Sequence, residues 1–377
     1  MKDIIIFGGG NEGKMFSNMV LSQKCLGVEQ LNILYFCDNH IPMGTFVNGI
    51  KVINIYELKR LNVQYDIYIC TEKYVDTIMK QLYEMGIKND VYYVPPYTYK
   101  FKYNNTDMPF AVKMDIEKPR LPWLEIGIVH HCNMNCNGCS TCANISGKEF
   151  IEIEKFEKDL KRIKVIFSGI KMLKLFGGEP LLHPDIIEII TCARKIFPDA
   201  KILVHSNGLL VPKCTEELLT RMNQLEIEFI FTLYPETGKI KRKIELCLQQ
   251  ANVEYEFTPP TYEFRKVINR KGSYDPEEVY SNCCKCISLI EDNLSCGFPY
   301  LIKRLEEKYD TIICEDKYQG CVNIYNTELT GWEINRLLDK PHNLCAYCAF
   351  MRFNVLDDDN EYFKWKREKP QLEDWII

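Results

Sequence analysis

Twice along this chain, short apolar runs alternate with amphipathic stretches, and that alternation restricts the fold to parallel sheets flanked by helices. In the first stretch, strands are expected at 3–7, 31–37, 65–70 and 91–94, with helices at 11–26 and 72–85. In the second, strands are expected at 124–130, 171–176, 201–205, 226–233 and 253–257, with helices at 150–166, 184–197, 215–223 and 237–250. Between them, Pro95-Pro96, Asn104-Asn105 and prolines at 109, 119 and 122 read as a linker. The fold class is α/β: a small parallel sheet, then a partial (β/α)6 barrel, then a cysteine-rich region. The expected boundaries are 1–100, a linker at 101–120, 121–275 and 276–377.

Eighteen cysteines are many for 377 residues, and in a reducing compartment they point to metal ligation before disulfides. Cys25, Cys37, Cys70, Cys192, Cys214 and Cys247 are scattered singly in apolar segments, where a buried free thiol is the default. The others cluster. Cys132, Cys136 and Cys139 lie in His130-His131-Cys132-Asn133-Met134-Asn135-Cys136-Asn137-Gly138-Cys139, directly after the strand-like run 124–129. Three thiolates on a loop leaving a strand can hold three corners of a [4Fe-4S] cube, which takes four protein ligands when closed. Three leave one iron open, as catalytic zinc sites keep an open position. Cys142 repeats the x2 spacing, so a closed four-thiolate zinc or electron-transfer site competes with this reading. It leaves Gly177-Gly178-Glu179-Pro180 and Ser206-Asn207 without a use.

The C-x3-C-x2-C spacing resembles the radical S-adenosylmethionine (radical SAM) enzymes. Lys174-Leu175-Phe176-Gly177-Gly178-Glu179-Pro180 looks like their GGEP motif at the second barrel strand, and His205-Ser206-Asn207-Gly208 is similar to their S/T-N-G at a later strand end. The resemblance covers roughly residues 120–260. It departs at Gly138, where the family usually carries an aromatic residue. The resemblance implies a [4Fe-4S] cluster on Cys132, Cys136 and Cys139 that chelates S-adenosylmethionine. Gly177, Gly178, Glu179 and Pro180 would meet its methionyl amine, and Ser206 and Asn207 its ribose or carboxylate. One-electron cleavage would give a 5′-deoxyadenosyl radical that abstracts hydrogen from substrate, with flavodoxin or ferredoxin as electron donor. Tyr234 stands at the next strand end, facing substrate or the core. Cys192, Cys214 and Cys247 are candidate hydrogen donors or plain packing.

Further on, Cys283-Cys284-Lys285-Cys286, Cys296 and Cys345-Ala346-Tyr347-Cys348 resemble the twitch or SPASM modules that follow many such barrels. That resemblance implies an auxiliary [4Fe-4S] cluster on one cysteine of the 283–286 group with Cys296, Cys345 and Cys348. Of Cys283, Cys284 and Cys286, Cys286 is favoured because it leads directly into the hairpin ending at Cys296, although Glu291 stands where the family has glycine. Cys314 and Cys321 would serve a second auxiliary cluster or none. A zinc site at Cys345 and Cys348 competes, because thiolate spacing does not separate the metals.

At the other end, Gly8, Gly10 and Gly13 satisfy G-x-G-x-x-G after the first strand, with Asp38 where a ribose partner would stand. A phosphate could rest on the helix N-terminus that follows. The segment resembles small Rossmann-like domains of surface-sugar acyltransferases and methyltransferases, in which such a turn contacts a nucleotide-sugar or only packs. The expected substrate is therefore a sugar or nucleotide-linked sugar, oxidised or epimerised, in surface polysaccharide metabolism. A peptide substrate and a non-catalytic scaffold are the alternatives. A net charge of -5 gives no nucleic-acid surface. No apolar run is long enough for a membrane span, and Met1–Phe7 reads as a strand rather than a signal peptide, so the expected location is the cytoplasm.

Overall fold

The computed structural model describes residues 2–22, 31–95, 111–350 and 362–377. The expected helix residues beyond 22, Cys25, and the linker residues 96–110 lie outside the described residues. The chain divides into two compact units, Met1–Pro119 and Arg120–Ile377.

The first unit is built on β1 (Lys2–Phe7), α1 (Asn11–Leu21), β2 (Leu31–Cys37), β3 (Phe46–Val47), β4 (Ile50–Ile53), α2 (Ile55–Leu58), β5 (Asp66–Ile69), α3 (Val75–Glu84), β6 (Val91–Tyr93) and β7 (Val112–Met114). Its sheet runs β3-β4-β2-β1-β5-β6-β7. The inner strands are parallel, and β3 and β7 add antiparallel edges. Covered on both faces, β1 is a continuous apolar run, with Ile4, Ile5 and Ile6 fully buried.

The second unit begins with β8 (Arg120–Leu121) and β9 (Leu124–Val129), then α4 (Ile153–Ile166), β10 (Gly169–Ile170), β11 (Met172–Gly177), α5 (Ile186–Ile196), β12 (Lys201–Ser206), α6 (Glu216–Gln224), β13 (Ile227–Phe231), α7 (Pro235–Gln250) and β14 (Tyr255–Phe257). It continues with β15 (Glu263–Arg265), α8 (Pro276–Ser281), β16 (Ser288–Ile290), β17 (Asn293–Ser295), α9 (Phe298–Tyr309), β18 (Val322–Asn323), α10 (Gly331–Leu338) and β19 (Tyr362–Lys364). The main sheet runs β14-β13-β12-β11-β9-β16-β17-β18. Strands β14 through β16 in that order are parallel, and the last two pairings are antiparallel. This is the expected partial barrel. Its sixth parallel strand, β16, pairs beside β9, the first of the sheet in sequence.

Alternation along the strands explains the layering. Leu124, Ile126 and Ile128 on β9, Leu173 and Leu175 on β11, and Ile202 and Val204 on β12 bury into one core with Phe156, Leu160, Ile189 and Leu218 of the helices. Some of the alternate positions, Glu125, Lys174 and His205 among them, carry polar side chains. Lys174 pairs with Glu125 at 2.9 Å, and the His205 ring meets the Thr232 hydroxyl at 2.8 Å. Both pairs stand on the face turned away from the helices.

Candidate radical SAM cluster site

The loop after β9 carries all three cysteines of the C-x3-C-x2-C segment. It turns sharply, with left-handed backbone at Asn135, Gly138 and Cys142. Each thiol meets a polar neighbour. Cys132 Sγ accepts from the Met134 amide at 3.4 Å and from Asn207 Nδ2 at 3.5 Å. Cys136 Sγ accepts from the Trp365 indole N–H at 3.1 Å, and Cys139 Sγ lies 3.2 Å from the Thr141 hydroxyl. Burial pushes the Cys132 thiol up to about 11 and the Cys136 thiol up to about 12. As free thiols these stay protonated; a bound cationic metal cluster would favour the thiolates, and the N–H groups already face the sulfurs.

Cys142 does not join them. It is fully buried in an apolar core with Leu301, Phe298 and Trp375, its sulfur near the Leu301 carbonyl at 4.0 Å. Among the described residues, no group of three or more His, Cys, Asp or Glu side chains is arranged to hold a single metal ion.

The glycine pair has a steric reason. Gly177 has φ +127°, and a Cβ there would stand 2.2 Å from the Val129 carbonyl oxygen. A Cβ on Gly178 would stand 1.8 Å from the His131 carbonyl oxygen. The absent side chains let the Gly178 amide donate to Val129 O at 2.6 Å and the Glu179 amide to His131 O at 3.0 Å. The end of β11 thus grips the start of the cysteine loop.

Glu179 is fully buried and accepts from Ser206 Oγ at 2.7 Å, the Asn207 amide at 2.8 Å and the Leu181 amide at 3.0 Å. Burial pushes its carboxyl above the usual range, against those three donors. Pro180 opens the turn Pro180–Leu182 and is itself buried. Asn207 Nδ2 also reaches Asn133 Oδ1 at 2.7 Å. A continuous chain therefore runs from Glu179 through Asn207 to Asn133 and Cys132, tying the three motifs into one unit. Ser206 donates to Glu179 and accepts from the Gly208 amide at 2.9 Å. Both residues hold the site together from within.

Several residues of this site carry no motif. The segment 362–377 straps the cysteine loop. Asn137, at 1 % exposure, donates from its side chain to Asp374 at 2.8 Å and accepts from the Glu368 amide at 2.7 Å. Arg367 donates to the Met134 carbonyl at 2.5 Å, and the Trp375 indole N–H donates to the Cys139 carbonyl at 2.9 Å. Phe363 explains the departure at Gly138: its Cζ lies 2.6 Å from where a Cβ would be, so the aromatic residue usual there has no room. The one sequence signal was composition. Two of the four tryptophans, the apolar residues that carry an N–H, stand at 365 and 375. Tyr234 is stacked on Trp365 with centroids 6.0 Å apart.

The second thiol group gathers around the β16–β17 hairpin. Glu291 and Asp292, both with positive φ, make its turn and do the work of the missing glycine. Cys286 and Cys296 flank the two strands. Burial, with the Cys296, Cys345 and Cys284 sulfurs nearby, pushes Cys348 up to about 12. Hydrogen bonds from Cys283 and Cys286 lower Cys284. Cys321 is a further neighbour of Cys296, whereas Cys314 sits in the apolar core with Cys142. Cys192, Cys214 and Cys247 are half-buried against the barrel core.

In the first unit, Gly8 has φ +106°, and a Cβ on Gly13 would lie 1.9 Å from the Gly8 carbonyl oxygen, so these glycines seat α1 on its turn. Gly10 caps that helix. The Asp38 carboxylate accepts from the Gly9, His40 and Ile41 amides at 2.7, 2.8 and 2.9 Å. Burial would raise its pKa, but these donors hold it below the usual range.

Residues 126–308 match the family model described as the radical SAM superfamily. The chain therefore carries a radical SAM domain. Residues 1–91 match the C2185-like N-terminal family. The radical SAM chain is 22% identical over 270 residues to a GTP 3′,8-cyclase of Staphylococcus carnosus, covering 64% of this chain and 77% of that one. It is 30% identical over 105 residues to the enzyme of the same name from Alkaliphilus oremlandii, covering 28% of this chain and spanning a third (33%) of that relative. Among solved structures it is similar to BtrN in complex with AdoMet and 2-DOIA, at 17% identity and a TM-score of 0.38, covering 62% of this chain and 94% of that one. The protein is a radical SAM enzyme whose cofactors are a [4Fe-4S] cluster and S-adenosylmethionine. Among the described residues no helix is long and apolar enough to cross a membrane.

Proposed function

We propose that Cys132, Cys136 and Cys139 hold the [4Fe-4S] cluster and leave one iron for S-adenosylmethionine, and that the substrate is a nucleotide-linked sugar. The observation that carries the cluster assignment is the hydrogen-bond chain from Glu179 through Asn207 to Cys132. It joins three separated motifs at one thiol. When bound, the cluster and S-adenosylmethionine supply one-electron cleavage and a radical able to take hydrogen from an unactivated carbon.

The protein's own contribution is placement. Gly177 and Gly178 bring two strand ends within hydrogen-bond reach. Buried Glu179 fixes Ser206 and Asn207. On the inner barrel face His205, pushed down to about 3 by burial and by Lys174, stays neutral near pH 7. It is thus a hydrogen-bonding group for a polar substrate rather than a charge. Cys286, Cys296, Cys345 and Cys348 would hold an auxiliary cluster that accepts an electron from, or orients, the substrate. Support for a nucleotide-linked sugar comes from the Rossmann-like first unit with Gly8, Gly10, Gly13 and Asp38, and from relatives named for a reaction of GTP.

The test is anaerobic reconstitution with iron and sulfide, then reductant (dithionite, or flavodoxin or ferredoxin) and S-adenosylmethionine. Release of 5′-deoxyadenosine supports the cluster assignment, and its absence after confirmed iron loading overturns it. Deuterated nucleotide-sugars offered in the same assay should pass deuterium into 5′-deoxyadenosine. Transfer from a peptide instead would overturn the substrate reading.

A further inference from the structure

Of the three loop thiols, Cys136 is the one that takes a hydrogen bond from the segment 362–377, through Trp365 Nε1 at 3.1 Å. The indole is held from several sides. Its ring stacks on Tyr234 at an interplanar angle of 26°. Its backbone amide donates to the Tyr262 carbonyl at 2.8 Å, and the preceding strand β19 pairs with β15. Just beyond it, Arg367, Glu368, Asp374 and Trp375 bind residues 133, 134, 137 and 139 of the same loop. An N–H held this firmly on a sulfur is pre-aligned for the charge that sulfur carries as a ligand.

We propose that Trp365 is a positioning residue for the cluster, donating its indole N–H to the Cys136 thiolate and so setting how easily the cluster is reduced. This rests on the cluster assignment above. Hydrogen bonds to ligand sulfurs and exclusion of solvent are among the levers on iron-sulfur potentials. A donor stabilises the more negative, reduced state and therefore raises the potential. The indole supplies the first of these levers, an N–H on the sulfur. The strap would thus make the one-electron step easier for a biological reductant.

Trp365→Phe keeps a ring against Tyr234 and removes the N–H. The full-length protein is reconstituted, and the electron paramagnetic resonance signal that changes on adding S-adenosylmethionine is followed in a potentiometric titration. With iron content matched to wild type, the Phe variant should show a more negative midpoint. At a fixed applied potential its reduced-to-oxidised ratio should fall toward tenfold, which corresponds to about 59 mV for one electron. Trp365→His, which keeps a ring N–H, should recover most of the shift. A Phe variant that loses iron while the His variant holds it carries the same conclusion. An unchanged midpoint in a fully loaded Phe variant, or a His variant behaving like Phe, overturns the proposal. If the wild type itself gives no signal sensitive to S-adenosylmethionine, it is the cluster assignment that fails, not the role of Trp365.

Discussion

The two cysteine-rich regions of the second unit are built on opposite plans. Around Cys132, Cys136 and Cys139, the sulfurs meet N–H and O–H groups, two of them brought from residues 207 and 365. Around the β16–β17 hairpin, the thiols of Cys283, Cys284 and Cys286 meet one another. The Lys285 amide, two residues from Cys283, donates to the Cys283 sulfur at 3.3 Å, and backbone amides of the same short segment reach Cys284. Donors fixed by distant parts of the fold make a preorganised anion cage, costly to assemble and hard to distort. Thiols crowded on one short segment make a ligand-rich but loosely specified patch. Chemistry that depends on an open iron belongs in the first setting.

The sharpest break between two neighbouring thiols is inside the loop itself. Cys139→Ala should abolish 5′-deoxyadenosine formation and remove about four irons per chain, one cluster's worth. Cys142→Ala, three residues on, should keep both, and lower stability by only about 1 kcal/mol through a small core cavity. Iron analysis and the nucleoside assay on both variants read this contrast; equal losses would restore the four-thiolate site.

Next in size is Gly178→Ala. Its added carbon meets a backbone carbonyl at 1.8 Å, which no rotamer change relieves. Destabilisation of about 3 kcal/mol is expected, with reduced iron loading at the first site. A melting temperature within a degree of wild type would show that the cysteine loop moves freely against β11.

The smallest effect at neutral pH concerns His205. Its folded pKa of about 3 lies below the ordinary 6.5, so the unfolded chain takes up a proton that the folded one refuses. Stability from this group is complete above 6.5 and lost as pH falls toward 3. His205→Gln should flatten that part of a pH-dependent urea titration while leaving the midpoint at pH 7 nearly unchanged. An identical slope would place the ring in contact with water.

The strands, the helices and the three motifs were legible because each is local. Alternation marks a strand within six residues, and C-x3-C-x2-C or Gly-Gly-Glu-Pro needs no partner to be recognised. The role of Glu179 was less legible. A carboxylate in that motif reads as a ligand contact, but the fold surrounds it with Ser206, Asn207 and Leu181. The strap was not legible at all. Asn137 and Asp374 stand 237 positions apart, and nothing in either neighbourhood announces the other. The position of β16 beside β9 is likewise a long-range pairing that periodicity does not encode.

Mössbauer spectroscopy of protein in which Cys286, Cys296, Cys345 and Cys348 are replaced by alanine tests the open-iron claim most directly. Adding S-adenosylmethionine should shift one iron of the remaining cluster away from the other three. Four irons that stay equivalent and unmoved, with the cluster intact, would contradict the account.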